Sequence, residues 1–138
     1  MIRSELARDL RDAGLAWHPA SGDTFLIESP ELAGDTFTVS EMTIEPHEFD
    51  TGTILGFNGT TEWALDSVAV ENALWLPRED QLRALLGSTF RALSFTGDRF
   101  RVDATDGDGV ASFDADDAAE AYGLAVLALI RRSTAPVP

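Results

Sequence analysis

The sequence contains no cysteine, which excludes disulfides, thiolate metal sites and cysteine nucleophiles. It contains no lysine either, so all ten basic residues are arginine. Without lysine there is no Gly-x-x-x-x-Gly-Lys-Ser/Thr loop, and nucleotide hydrolysis by the phosphate-loop route is excluded by composition. Histidine occurs twice, as His18 and His47, and no Gly-x-Ser-x-Gly elbow is present. That leaves no basis for a serine hydrolase. Long apolar runs are also missing. The longest, Leu124 to Ile130, is far short of the roughly 20 residues a membrane span needs. Charge begins at Arg3 and no apolar h-region follows Met1. The expectation is a cytoplasmic protein without a signal peptide.

What is abundant is acid. The 138 residues carry 24 acidic and 10 basic side chains, a formal net charge of −14. Such a surface repels nucleic acid and anionic lipid at long range, which leaves a protein partner or self-association. The hydrophobic fraction of 44% is that of a globular chain, and the length suits one domain with a single core.

Periodicity predicts the elements. Leu6, Leu10 and Ala13 share one face of a helix over Ser4–Ala13, with Ser4 as its cap and Gly14 as its left-handed stop. Thr24–Glu28 and Thr36–Ile44 read as strands, the second with a bulge or turn near Ser40-Glu41. Asn58-Gly59 lies between Thr53–Phe57 and Thr60–Leu65 and predicts a two-residue hairpin with Ile54 opposite Trp63. Asp66–Ala73 is ambiguous between loop and helical turn. Pro77 is placed at the first position of a second helix that buries Leu82, Leu85 and Leu86 and ends at Gly87. Phe90–Phe95 and Arg99–Ala104 flank Thr96-Gly97-Asp98 as a second hairpin, and Asp106 to Gly109 turns into a strand over Val110–Phe113. A last helix starts at Asp114, with Phe113 stapled onto Ala118. From Tyr122 to Ile130 it is apolar almost all round, which predicts a central position on the sheet, or else a dimer contact. Together these predict a single α+β domain over 1–132. It has a mostly antiparallel sheet of five to seven strands packed with three helices, and a disordered tail over 133–138.

Two acidic clusters invite a metal reading. Glu41, Thr43, Glu45 and His47 fall on one strand face, and Glu45, His47 and Glu48 are the candidate metal set. No second histidine stands at ligand spacing, and Pro46 marks an edge or strand end. An exposed polar face is therefore the stronger reading. Asp103, Asp106, Asp108 and Asp114 resemble a calcium loop, but counting from Asp106 places Val110 and Ala111 where an acid and a glycine are required. A solvated hairpin turn explains them. Trp63 beside Glu62 and Asp66, with Trp75 and Arg78 further on, makes a candidate binding surface of aromatics and charge.

The stretch from Phe57 to Val68, Phe-Asn-Gly-Thr-Thr-Glu-Trp-Ala-Leu-Asp-Ser-Val, is followed by Ala-Leu-Trp-Leu-Pro-Arg-Glu-Asp-Gln-Leu from Ala73 to Leu82. This pattern resembles a family of small actinobacterial proteins often labelled pilus-assembly proteins of the CpaE type. Trp-Leu-Pro-x-x-x-Gln-Leu is also similar to a motif of small phage-related proteins. The resemblance implies a bacterial origin and brings no assigned site residues or cofactor. Taken together, the residues favour a non-enzymatic protein-binding or accessory domain. A small metal-dependent enzyme using Glu45, His47 and Glu48, and an acidic immunity- or inhibitor-type protein, are the alternatives.

Overall fold

A computed structural model describes residues 1–28, 35–39, 44–49, 52–57, 67–69 and 72–134; for 44–49, 52–57 and 67–69 it describes the backbone. The elements in chain order are α1 (Ser4–Ala13), β1 (Thr24–Ile27), β2 (Thr36–Thr38), β3 (Ile44–Phe49), β4 (Gly52–Phe57), β5 (Ser67–Ala69), β6 (Ala73–Leu76), α2 (Glu79–Leu86), β7 (Phe90–Thr96), β8 (Arg99–Asp106), β9 (Gly109–Ala115) and α3 (Ala118–Thr134). The α+β class, the three helices and the antiparallel pairing are as the sequence predicts. Among the described residues the strands are shared among three antiparallel sheets of three, β2-β1-β6, β3-β4-β5 and β7-β8-β9, in place of one continuous sheet. The chain divides into two compact units. One comprises Met1–Ala16 with Pro77–Pro138, and the other comprises Trp17–Leu76.

In the first unit, α1 keeps its expected bounds. Leu6 and Leu10 are buried one turn apart, with Ile2 and Ala7 beside them, whereas Ala13 is only half-buried. Gly14 takes φ +119° and its N–H donates to the Arg11 carbonyl, while the Leu15 N–H donates to the Leu10 carbonyl. This paired closure satisfies the terminal carbonyls and needs a residue without a Cβ. The predicted Ser4 cap is not formed. Arg3 holds the extended cap position and Ser4 is already helical.

Helix α2 also starts later than predicted. Pro77 precedes the cap residue Arg78, whose N–H donates to Gln81 Oε1 at 2.9 Å. Leu82 and Leu86, at i and i+4, are buried, but Leu85 falls off that stripe and is 41% exposed. Strands β7, β8 and β9 form a meander through two equivalent turns. Thr96 pairs with Arg99 and Asp106 with Gly109, so each loop has two central residues. Gly97 and Gly107 hold the first central position at φ +68° and +64°, the conformation a glycine-first hairpin turn requires.

The last helix begins at Ala118 rather than Asp114. The ladder pairs Asp114 with Arg101 and Ala115 with Phe100, which keeps both extended, and Phe113 pairs with Val102 in the same strand instead of stapling a helix. Asp117 caps α3, accepting the Ala119 N–H at 2.8 Å. The helix lies at the centre of its unit, packed by α1, α2, β8 and β9. It buries Ala121, Tyr122, Gly123, Ala125, Val126 and Leu127. A Cβ on Gly123 would stand 2.7 Å from Leu6 Cδ2 and 3.1 Å from Ile2 Cδ1, so the glycine lets α1 approach closely. The helix extends through Thr134, past the boundary expected for the tail; 135–138 lie outside the described residues.

In the second unit, β1 is central to its sheet. Phe25 pairs with Phe37 on one side and Trp75 on the other. Phe25, Ile27, Val39 and Ala73 form the core, and Trp17 and Phe37 pack on it. The predicted strand over Thr36–Ile44 divides between two sheets, because Thr36–Thr38 pair with β1 and Ile44 opens β3. Strand β3 is an edge, as Pro46 requires of it. The Asn58-Gly59 turn lies outside the described residues, but the register expected from it is not adopted. Ile54 pairs with Ala69, and Gly56 with Ser67. Strand β4 is flanked on both sides, by β3 and β5, and two ladders outweigh one local turn preference in setting register.

Candidate functional site

Of the predicted surface, Glu62, Trp63 and Asp66 lie outside the described residues. Trp75 is on β6, in the Trp17–Leu76 unit, and Arg78 caps α2 in the other unit. Arg78 donates to Asp80 through Nε (3.0 Å) and Nη2 (3.4 Å). That hydrogen bonding holds the Asp80 carboxyl below the usual carboxylate range. Glu45, His47 and Glu48 all lie on β3, their backbones paired with Gly56, Ile54 and Thr53; their side chains are outside the described residues. Among the described residues no group of three His, Asp or Glu side chains could hold a metal ion.

Around Trp75 the structure assembles more than the sequence suggests. Phe37, Phe25 and Trp75 stand side by side across β2, β1 and β6, with Phe25 and Phe37 rings 5.6 Å apart. Trp17 stacks on Trp75 at 6.4 Å and 10°, and tilts against Phe25 at 5.4 Å. Trp17 Nε1 donates to the buried carboxylate of Asp23 at 2.9 Å, and the same oxygen accepts the Ala20 N–H at 3.0 Å. Trp75 Nε1 is buried with no acceptor among the described residues. The four-ring column is an amphipathic wall: large apolar area with polar edges, the composition that recurs at protein interfaces.

The second feature the sequence reading misses is the distribution of charge. Trp17–Leu76 contains eleven of the 24 acidic residues and not one arginine. The other unit contains the remaining thirteen acids and all ten arginines. It uses several of them in ion pairs, among them Arg3–Glu120 at 3.3 Å, Arg101–Asp114 at 2.8 Å and Arg132–Asp106. The Arg101 hydrogen bond holds the Asp114 carboxyl below its usual range. Trp17–Leu76 supplies no guanidinium or ammonium side chain to do the same for its carboxylates. The signal stands in the sequence as the absence of any basic residue between Arg11 and Arg78 except the two histidines.

Among the described residues no helix is long and apolar enough to cross a membrane. The chain matches no family model, and comparison with curated proteins and with solved structures gives no match.

Proposed function

We propose that this chain is a non-enzymatic binding or accessory domain for a basic protein partner, with Trp17–Leu76 as the binding unit. The observation that supports the reading is the charge partition. The unit has eleven acidic residues and no arginine or lysine in its sequence, so its own composition gives a charge of one sign that a cationic protein would complement. Complementary charge of this kind speeds encounter and selects partners by sign. The half-buried Trp17 and Trp75 supply apolar area beside that charge. An acidic inhibitor or immunity-type protein is one form of the same reading, since it also offers carboxylates to a basic surface.

Titration with an arginine-rich peptide, followed by calorimetry at low and at physiological ionic strength, tests the proposal. Binding should weaken as salt rises. Reversing two exposed acids of the binding unit, Glu28→Lys with Asp35→Lys, should weaken binding several-fold. Reversing Glu79 and Asp98 in the other unit should change it little. Equal losses from the two pairs would sink the assignment of the binding unit, and salt-independent binding would sink its electrostatic basis.

A further inference from the structure

The arginine-bearing unit contains a cavity of about 230 Å3 between the C-terminal half of α3 and strands β8 and β9. Four alanines make the hollow: Ala104 on β8, Ala111 on β9, and Ala125 and Ala128 on α3. Phe113 and Leu129 complete an apolar interior. At the solvent side stand Arg132 and Asp106, whose side chains are 40% and 56% exposed. They are joined through Arg132 Nη1, which also donates to the Thr105 carbonyl at 3.4 Å. The cavity is therefore greasy within and zwitterionic at its mouth.

Size and charge together select a ligand. A dry apolar cavity of about 150 Å3 accommodates benzene. This one has room for such a ring and a head group of a few more atoms. The head meets a guanidinium and a carboxylate that already neutralise each other. An anionic head would compete with Asp106 for Arg132, and a cationic head would compete with Arg132 for Asp106; either leaves one charge without its partner. A neutral head that both accepts and donates leaves the pair intact. Arg132 retains N–H groups beyond Nη1, and a carboxylate accepts at both oxygens. We propose that this cavity binds a small neutral amide with an aromatic or short branched apolar tail. The inference is independent of the charge on Trp17–Leu76.

The test is an amide-resolved NMR titration of the intact chain with three probes of one shape: benzamide, benzoate and benzylamine. Benzamide should shift the Ala104, Ala111 and Ala128 amides with a dissociation constant of about 1 mM, ordinary for a ligand of about nine heavy atoms. The two ions should bind about tenfold more weakly. Ala128→Phe fills the hollow and should abolish the shifts. Should that variant misfold, Ala111→Leu fills it from the strand side. Arg132→Gln, at an exposed position, should weaken benzamide several-fold and erase the discrimination against benzylamine, because Asp106 then has no guanidinium for the cation to displace, while benzoate stays excluded. Equal binding of the three probes, shifts confined to other residues, no saturation at several tens of millimolar, or undiminished binding by a folded cavity-filling variant would each overturn the proposal.

Discussion

Thirteen carboxylates stand with ten guanidiniums in one unit of this chain; eleven carboxylates stand with none in the other. The first arrangement ties acids to arginines across strands and between helix and strand, as in Arg101–Asp114 and Arg132–Asp106. Exposed pairs of this kind add little to stability, yet they leave a surface with a weak field. The second arrangement leaves a field of one sign. Its stability must come from elsewhere, and the Phe25 core with its tryptophan column is the available source. The contrast teaches that a net charge of −14 is not a property of the whole surface. It belongs mostly to 60 residues, and a function that uses charge should map to them.

The largest test of this comparison is Phe25→Ala. Phe25 is 0% exposed and packs against the rings of Phe37 on β2 and of Trp17. Truncating a buried Phe costs about 3–5 kcal/mol. Hydrogen exchange should show lost protection in β1 and β6, and arginine-peptide binding should fall with it. Equal loss of protection in β8 and α3 would break the comparison, because the two units would then unfold as one.

Gly123→Leu is the counterpart in the other unit, with an expected loss of about 2 kcal/mol. The new side chain would meet Leu6 and Ile2, where even a Cβ stands 2.7 Å from Leu6 Cδ2. Overpacking of this size costs about 1–3 kcal/mol, against which glycine-to-leucine returns about 0.8 kcal/mol of helix propensity. Leu6→Ala should recover part of the loss. Thermal unfolding of the single and double variants checks this, and simple additivity would show that α1 is not what the glycine accommodates.

Much of the fold is legible where its cause is local. Helix α1 ends at Gly14 because a left-handed stop is written into one residue, and the β7–β8 hairpin follows from Gly97-Asp98 in the same way. What is not legible depends on distant partners. Ala73–Leu76, which is assigned no strand from the sequence, is one because Thr24–Ile27, some fifty residues earlier, supplies its ladder. Asp114 looks like a helix cap until Arg101 is seen opposite it. The candidate site is legible only in part. Trp75 stands out by residue type, but its stack with Trp17 and the bond from Trp17 to Asp23 are tertiary facts. The charge partition is visible in the letters, but it acquires meaning only once Trp17 and Leu76 bound a unit.

The smallest expected effect concerns Asp117, and it sharpens the account of how the arginine-bearing unit uses its acids. Burial pushes this carboxyl up. A hydrogen bond from the Met1 ammonium and the Ala119 and Glu120 N–H groups outweigh that, so it lies below the ordinary aspartate range. A depressed folded value means that the unfolded chain binds the proton more readily. The stabilisation is therefore complete above the unfolded value of about 3.9 and is lost as pH falls through the folded one. Asp117→Ala should cost about 1 kcal/mol at neutral pH, the usual worth of a helix cap, and no more, because its side chain is 42% exposed and screened. The difference between wild type and variant should hold from pH 7 to about 5 and close below about pH 4. A difference that persisted in acid would show that the side chain acts by packing rather than by charge and capping.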